Sequence, residues 1–186
     1  LNTENGYYYL NLSTGKMTVG WEKINNKWYY FQGNGVMATG WVKDNGKYYY
    51  LLTDGTMHTG WVSIDNVYYY LGDSGAMATG WVSMDNGWYY FDPNDGKCTV
   101  DLAREINDSW YMFGKDGKML TGWQQVDGAY YYFHTDGRML IGWLSDGTNS
   151  YYMDPANGRM STGWKQIECS YYYFNNSGHK LTGWIQ

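Results

Sequence analysis

Residues 38–61 read ATGWVKDNGKYYYLLTDGTMHTGW, a stretch that closes on nearly the four letters that opened it. Gly-Trp pairs at Trp41 and Trp61 bracket a run of three tyrosines, Tyr48 to Tyr50. Between the first tryptophan and that run lies Asp44-Asn45-Gly46, and after the run comes Thr53-Asp54-Gly55. Two short β-prone runs on either side of an Asn-Gly turn read as a β-hairpin. The second turn, closed by Gly55, reads as the link to the next hairpin.

Working outward, the same unit fills the chain, as a search for internal repeats shows. Gly-Trp recurs at Trp21, Trp41, Trp61, Trp81, Trp123, Trp143, Trp164 and Trp184. Aromatic runs begin at Tyr7, Trp28, Tyr48, Tyr68, Trp88, Trp110, Tyr130 and Tyr171. A methionine follows the second turn at Met17, Met37, Met57, Met77, Met119, Met139 and Met160. The period is about twenty residues, and Asp85-Asn86-Gly87 and Asp127-Gly128 supply further turns of the Asn-Gly kind. One such hairpin is not stable alone in water, so each must bury its faces against its neighbours. The expectation is an all-β solenoid of about nine stacked hairpins over residues 1–186, a single repeat domain with irregular units near 98–113 and 143–160. No stretch keeps a helical period.

The composition agrees with a repeat protein of unusual core. Among 186 residues, 20% are aromatic, with 22 Tyr and 11 Trp, while Leu, Ile and Val are scarce. The buried surface is therefore predicted to come mainly from Tyr, Trp and Met. Thirteen Lys and Arg against 18 Asp and Glu give a formal charge of -5, which repels nucleic-acid phosphates; no nucleic-acid partner is expected. No apolar run reaches the roughly 18 residues a membrane span needs, so membrane insertion is not expected. Cys98 and Cys169 are too few for a disulfide framework and too far apart for a zinc site.

Catalytic chemistry finds no constellation either. His58, His134 and His179 are scattered over turn and linker positions. Asp92, Asn94 and Asp95 look faintly like a calcium loop but lack its sixth-position glycine and terminal glutamate, and read as a solvated turn. No catalytic residue, metal or cofactor is expected.

Spacing assigns side chains to faces. In each well-formed unit the first aromatic lies seven residues after the tryptophan, and across a two-residue turn an odd separation puts two residues on one face. Trp41, Tyr48 and Tyr50 then share a face, with Val42 and Tyr49 on the other, where Tyr49 reads as packing. The rule fails twice: Ala103 stands seven residues before Trp110, and Ser150 seven after Trp143. Cys98 also stands where methionine is expected. A site needing both aromatics should be absent or altered in those two units.

Paired Trp and Trp or Tyr with a nearby Met, and no charge at those positions, describe an aromatic box. Such a box suits a quaternary ammonium, held by the negative faces of the rings at about 0.5–2 kcal/mol each. Linked weak sites on a polymeric ligand then act at high effective concentration. Aromatic faces also stack on sugar rings, so the box by itself leaves carbohydrate open.

Units such as TGWEKINNKWYYFQGNGVMATGW and TGWVSMDNGWYYF resemble the choline-binding, or cell-wall-binding, repeats of pneumococcal surface proteins and of pneumococcal and phage lytic enzymes. The resemblance implies a left-handed β-solenoid of hairpins with choline bound between consecutive ones. Two aromatics come from one hairpin, a third from the next, and often a methionine completes the cavity. Carried over, it nominates Trp21 with Trp28, Trp41 with Tyr48, Trp61 with Tyr68, Trp81 with Trp88, Trp123 with Tyr130, and Trp164 with Tyr171. Met37, Met57, Met77 and Met139 join them as cavity residues.

The implied function is a non-catalytic module that anchors a protein to choline or phosphocholine of teichoic and lipoteichoic acids, secreted to a Gram-positive cell surface. Family members often carry a hydrolase or adhesin module beside the repeats. A host-surface partner and self-association through the terminal hairpins also fall within what the resemblance implies. Similar repeats in streptococcal glucan-binding domains and large clostridial toxins bind carbohydrate, and that is the alternative ligand.

Overall fold

A computed structural model describes the chain at residues 2–3, 6–84 and 87–184. Every described element is a β-strand, and the strands pair in sequence order into two-stranded antiparallel sheets, one per hairpin. The full-length hairpins run from Gly20–Ile24 with Lys27–Phe31 to Gly163–Ile167 with Ser170–Phe174. With no helix among the described residues, none is long and apolar enough to cross a membrane.

The turns explain why these segments fold as tight hairpins. Asn45 and Gly46 both have positive φ, 46° and 79°, the pairing a type I′ turn requires and one that matches the twist of the flanking strands. Asn25-Asn26, Asp65-Asn66, Asn107-Asp108 and Asp127-Gly128 do the same with residues that tolerate the left-handed region. Asp85 and Asn86, read as part of another such turn, lie outside the described residues. The register that follows sets Gly40 opposite Leu51, Trp41 opposite Tyr50, Val42 opposite Tyr49 and Lys43 opposite Tyr48. The even and odd sides of the strands therefore divide as the two-residue turn dictates: Trp41, Lys43, Tyr48 and Tyr50 on one face, Val42 and Tyr49 on the other.

The second turn of most repeats is an Asx turn, with Ser74 taking the same place in one of them. Asp54 Oδ1 accepts the Thr56 backbone N–H at 2.9 Å and its hydroxyl at 2.6 Å, and Asp136 and Asp116 accept the backbone N–H two residues on in the same way. The following residues then tie two hairpins together. Ala78 N–H donates to Tyr70 of its own hairpin, while Met77 N–H donates at 2.8 Å to the Tyr48 carbonyl of the hairpin before. The same bond joins Met57 to Trp28, Cys98 to Tyr68, Met139 to Trp110 and Met160 to Tyr130. Each link crosses about thirty residues of chain, so neighbouring hairpins are held by backbone as well as by side chains.

The described chain forms two compact units. One comprises residues 1–82 and 90–98, the other residues 83–89 and 99–186, so that the strands Gly80–Met84 and Gly87–Phe91 contribute residues to both. Inside each unit the core differs from the composition-based expectation. Its fully buried members are the residues that end the second strands: Leu51 and Leu71 with Phe91 in one unit, Phe113, Met153 and Phe174 in the other. Tryptophan is not the core; Trp41 and Trp123 are each 37% exposed and Trp61 is 40% exposed. The reason is positional. The last residue of the run commonly faces glycine across the hairpin, as Leu51 faces Gly40, although Phe113 faces Leu102, and it bridges back to the segment after the second turn, a crowded place that one compact apolar side chain fills.

Methionine fills the space above the next turn. A Cβ placed on Gly55 would lie 2.3 Å from Met37 Sδ, and one on Gly75 would lie 2.2 Å from Met57 Sδ. The glycine is thus demanded twice, by φ of +82° and by the thioether beneath it.

One hairpin is closed differently. Between Gly142–Ser145 and Ser150–Met153 the loop has four residues, and the Asp146 carboxylate accepts the Thr148 and Asn149 N–H groups at 2.9 and 2.7 Å and the Tyr151 hydroxyl at 2.9 Å. These donors, the Asn149 amide foremost, pull the Asp146 pKa from its ordinary 3.8 to about 2. A pKa lower in the folded state stabilises the fold above the unfolded value and ceases to do so as pH falls through the folded one. Asp146→Asn is expected to lower the melting temperature at pH 7, and the gap to the parent chain should close as the pH is taken from about 4 towards 2. A gap of equal size at pH 7 and pH 2 in thermal melts would show that the charge plays no part.

Candidate functional site

The strand register brings the nominated pairs to one face. Trp21 with Trp28, Trp41 with Tyr48, Trp61 with Tyr68, Trp123 with Tyr130 and Trp164 with Tyr171 each lie on the same side of their hairpin. Trp41 sits opposite Tyr50, so Tyr48 is its diagonal neighbour, a relation that spaces side chains roughly 7–8 Å apart at the base. At that spacing a cation between the rings lies within about 6 Å of both. Trp81 belongs to one compact unit, where its ring meets Tyr90 at 5.1 Å, and Trp88 to the other, where its carbonyl accepts the Met119 N–H.

A third ring comes from the next hairpin, and it is the tyrosine that sequence reasoning set aside as packing. Trp21 meets Tyr49 edge-on with ring centroids 4.8 Å apart, Trp41 meets Tyr69 at 5.0 Å, Trp123 meets Tyr151 at 5.0 Å, and Trp143 meets Tyr172 at 5.1 Å. Each tryptophan also stands edge-on to the third aromatic of its own hairpin, as Trp41 does to Tyr50 at 5.1 Å. Edge contacts put the positive rim of one ring against the negative face of another and fix the indole plane. The Trp21 indole N–H is further held by Asp44 Oδ2 of the following hairpin, at 3.2 Å. The clue was present in the alternation: Tyr49 points away from Trp41, hence towards the hairpin that precedes it.

The methionines are offset in the same manner. The backbone bond brings Met57 to the Trp28 carbonyl and Met77 to that of Tyr48, whereas Met37 bonds Tyr7 and Met139 bonds Trp110. Met160, which the sequence reading did not nominate, is the one bound at Tyr130. A candidate cage in the first unit is therefore Trp41, Tyr48, Tyr69 and Met77; the second unit offers Trp123, Tyr130, Tyr151 and Met160. Trp164 and Tyr171 are 66% and 69% exposed, and the Trp164 ring meets Tyr173 of its own hairpin at 5.2 Å.

Two lysines already use these rings. Lys43 Nζ lies 5.0 Å from the Tyr48 ring centroid and Lys23 Nζ lies 6.0 Å from that of Trp28. A third is better placed. Where Ser150 replaces the first aromatic, Lys180 takes the methionine position, its N–H bonding the Ser150 carbonyl, and its ammonium stands 5.5 Å from Trp143 and 5.9 Å from Tyr172. The tryptophan and the tyrosine of the next hairpin thus hold a cation supplied by the chain itself.

Other polar groups make local contacts. His58 Nε2 contacts the Trp61 carbonyl at 2.9 Å, Asp92 Oδ1 accepts the Asn94 N–H at 2.8 Å, and Asp95 pairs with Lys97 at 2.8 Å. Cys98 is buried and Cys169 exposed, neither in a disulfide.

The fold is that of an all-β hairpin-repeat protein with candidate aromatic cages, and comparison with known proteins gives its family. The choline-binding repeat profile matches residues 18–59, 58–101 and 120–162, and a cell wall binding repeat profile matches 104–119 and 162–180. The chain belongs to the choline-binding repeat family. Among solved structures it is similar to CbpJ from Streptococcus pneumoniae TIGR4, with 31% identity and a TM-score of 0.85 over 94% of this chain and 61% of that one. Choline binding protein F of Streptococcus pneumoniae is 30% identical, TM-score 0.80, over 90% of this chain and 59% of that one. The choline-binding domain of CbpL from Streptococcus pneumoniae is 29% identical, TM-score 0.68, over 88% and 87%. The chain spans under two thirds of the length of the first two. No curated protein matches it. Hairpin repeats occupy the described residues, and no catalytic domain is evident in this chain.

Proposed function

We propose that this chain is a non-catalytic module that binds choline in the cages between successive hairpins and so anchors a protein to phosphocholine on the teichoic and lipoteichoic acids of a Gram-positive cell wall. The observation that carries this reading is Lys180. Tethered beside the recurring pair, its ammonium sits within 6 Å of both rings, Trp143 and Tyr172. A trimethylammonium has no N–H to donate and spreads its charge over methyl groups, so rings without a carboxylate suit it.

Per-site affinity is weak by the same reasoning, because two or three rings contribute about 0.5–2 kcal/mol each against the cost of immobilising the ligand. A polymer carrying many choline groups engages several cages at once, and the second and later contacts are intramolecular. Isothermal titration tests the reading. Choline is expected to give a saturable isotherm with more than one site, and a choline-bearing polymer a much tighter one. Absence of choline binding, with saturable binding of a glucan instead, would refute it.

A further inference from the structure

The strand position two residues after the tryptophan lies on the cage face, directly opposite the first aromatic of the hairpin. The rings around it repeat, but this residue does not. It is Lys23 opposite Trp28, Lys43 opposite Tyr48, Ser63 opposite Tyr68 and Gln125 opposite Tyr130. A charge that changes from cage to cage, beside rings that stay the same, alters what each cage selects.

Lys43 is the clearest case. Its ammonium stands 5.0 Å from the Tyr48 ring centroid, its side chain is exposed, and no carboxylate among the described residues pairs with it. Tyr48 is one wall of the candidate cage formed with Trp41, Tyr69 and Met77. Lys23 is set in the same way beside Trp28, but the Asp44 carboxylate of the next hairpin lies 3.2 Å from the Trp21 indole nitrogen and offsets its charge. The residue corresponding to Asp44 in the hairpin that closes the Trp41 cage is Ile64, which is uncharged. In the second unit the balance is reversed. Gln125 is neutral, and the Asp146 carboxylate is bonded to the hydroxyl of the closing ring, Tyr151.

An ammonium so close to a cage opposes a second cation inside it, since like charges at this range repel even near solvent. Free choline brings only positive charge and must displace Lys43 from Tyr48 or sit beside it. Phosphocholine brings an anion as well, two carbons from its quaternary nitrogen and within reach of a flexible lysine side chain at the rim of the same cage. Lys43 then leaves the ring for the phosphate, which frees the Tyr48 face and replaces repulsion with a charge-assisted hydrogen bond. The chain as a whole carries a formal charge of -5, which disfavours a phosphate wherever no local cation receives it.

We infer, resting on the choline reading, that Lys43 is a specificity-determining residue. It makes the Trp41 cage select choline that carries a phosphate, while the Trp123 cage takes the ammonium whether or not a phosphate follows. The module thereby holds two kinds of site, one matched to the phosphorylated headgroup and one open to choline in any form.

The test follows the Trp41 and Trp123 indole N–H signals in ¹H–¹⁵N spectra of the whole chain, assigned by their loss in Trp41→Ala and Trp123→Ala. Choline, phosphocholine and acetylcholine are titrated separately, the last placing a neutral group where the phosphate stands. Phosphocholine is expected to bind about fivefold tighter than choline at Trp41, the scale of an exposed charge pair, and no tighter at Trp123. Acetylcholine should follow choline at both. Lys43→Gln should erase the preference at Trp41 by strengthening choline and weakening phosphocholine, and Lys43→Arg should keep it. Gln125→Lys should raise the phosphocholine-to-choline ratio at Trp123. The inference is overturned if both cages of the parent chain show one ratio, if Lys43→Gln moves the two ligands by the same factor, or if acetylcholine shares the preference. Equal ratios with choline shifting both indoles leave the anchoring reading intact, whereas no response to any of the three ligands refutes that reading and this inference with it.

Discussion

Trp41→Ala should remove one choline site from the titration and leave the hairpin folded. The indole is 37% exposed and contributes edges to Tyr50 and Tyr69, not to the buried line that ends at Leu51. Losing one ring of a cage forfeits about 1–2 kcal/mol, a five- to thirtyfold loss that takes an already weak site out of the measurable range. The ring contact between Trp41 and Tyr69 sharpens the expectation further. Tyr69→Leu, in the next hairpin, should weaken the same site as Trp41→Ala, and the two changes together should cost little more than either alone. Followed by the indole N–H signals, choline should cease to shift Trp41 in Tyr69→Leu while still shifting Trp123. If Tyr69→Leu instead abolishes only the response of Trp61, the cage runs within a hairpin and the inter-hairpin assignment is wrong.

The contrast between those two residues shows how far the sequence could be read. Everything set inside one repeat was legible: the period, the Asn45-Gly46 turn, the odd spacing that brings Trp41 and Tyr48 to one face. Each rests on chain-local rules, since a two-residue turn fixes the register and the register fixes the faces. What was not legible lies between repeats. That Tyr69 serves Trp41, and that Met77 rather than Met57 meets Tyr48, depends on how one hairpin is offset from the next. A twenty-residue period cannot report an offset that spans about thirty residues of chain. The core was misjudged for a related reason. Aromatic content pointed to Tyr and Trp, but burial is decided by the strand-end position that bridges to the next segment, where Phe113 and Leu71 sit.

The irregular hairpins follow from the same logic. Ala103 and Ser150 were recognisable as departures from the spacing, yet their consequences differ. Ser150 leaves two rings that Lys180 covers, whereas Ala103 leaves a cleft. One departure is filled from within the chain, and the other is left open to solvent.

The largest loss of stability is expected from the strand-end positions, with Phe113→Ala as the strongest case. Its ring is 1% exposed, opposite Leu102 across the hairpin, and its backbone bridges to Met119. Truncation of a buried phenylalanine to alanine costs about 3–5 kcal/mol, the lost transfer energy plus a cavity that neighbours only partly fill. Collapse is hindered here because the surrounding backbone is pinned: Met119 N–H is bonded to Trp88 and Leu120 N–H to Met112, so the methionine segment cannot slide into the gap. Trp110→Ala in the same hairpin, an exposed ring on the cage face, should cost far less. Urea denaturation of the two variants separates the roles. A midpoint that falls steeply for Phe113→Ala and barely for Trp110→Ala places stability at the strand ends and leaves the indoles free for ligand. Equal losses would mean that the cage rings are themselves the core, and that a site could not be emptied without unfolding its hairpin.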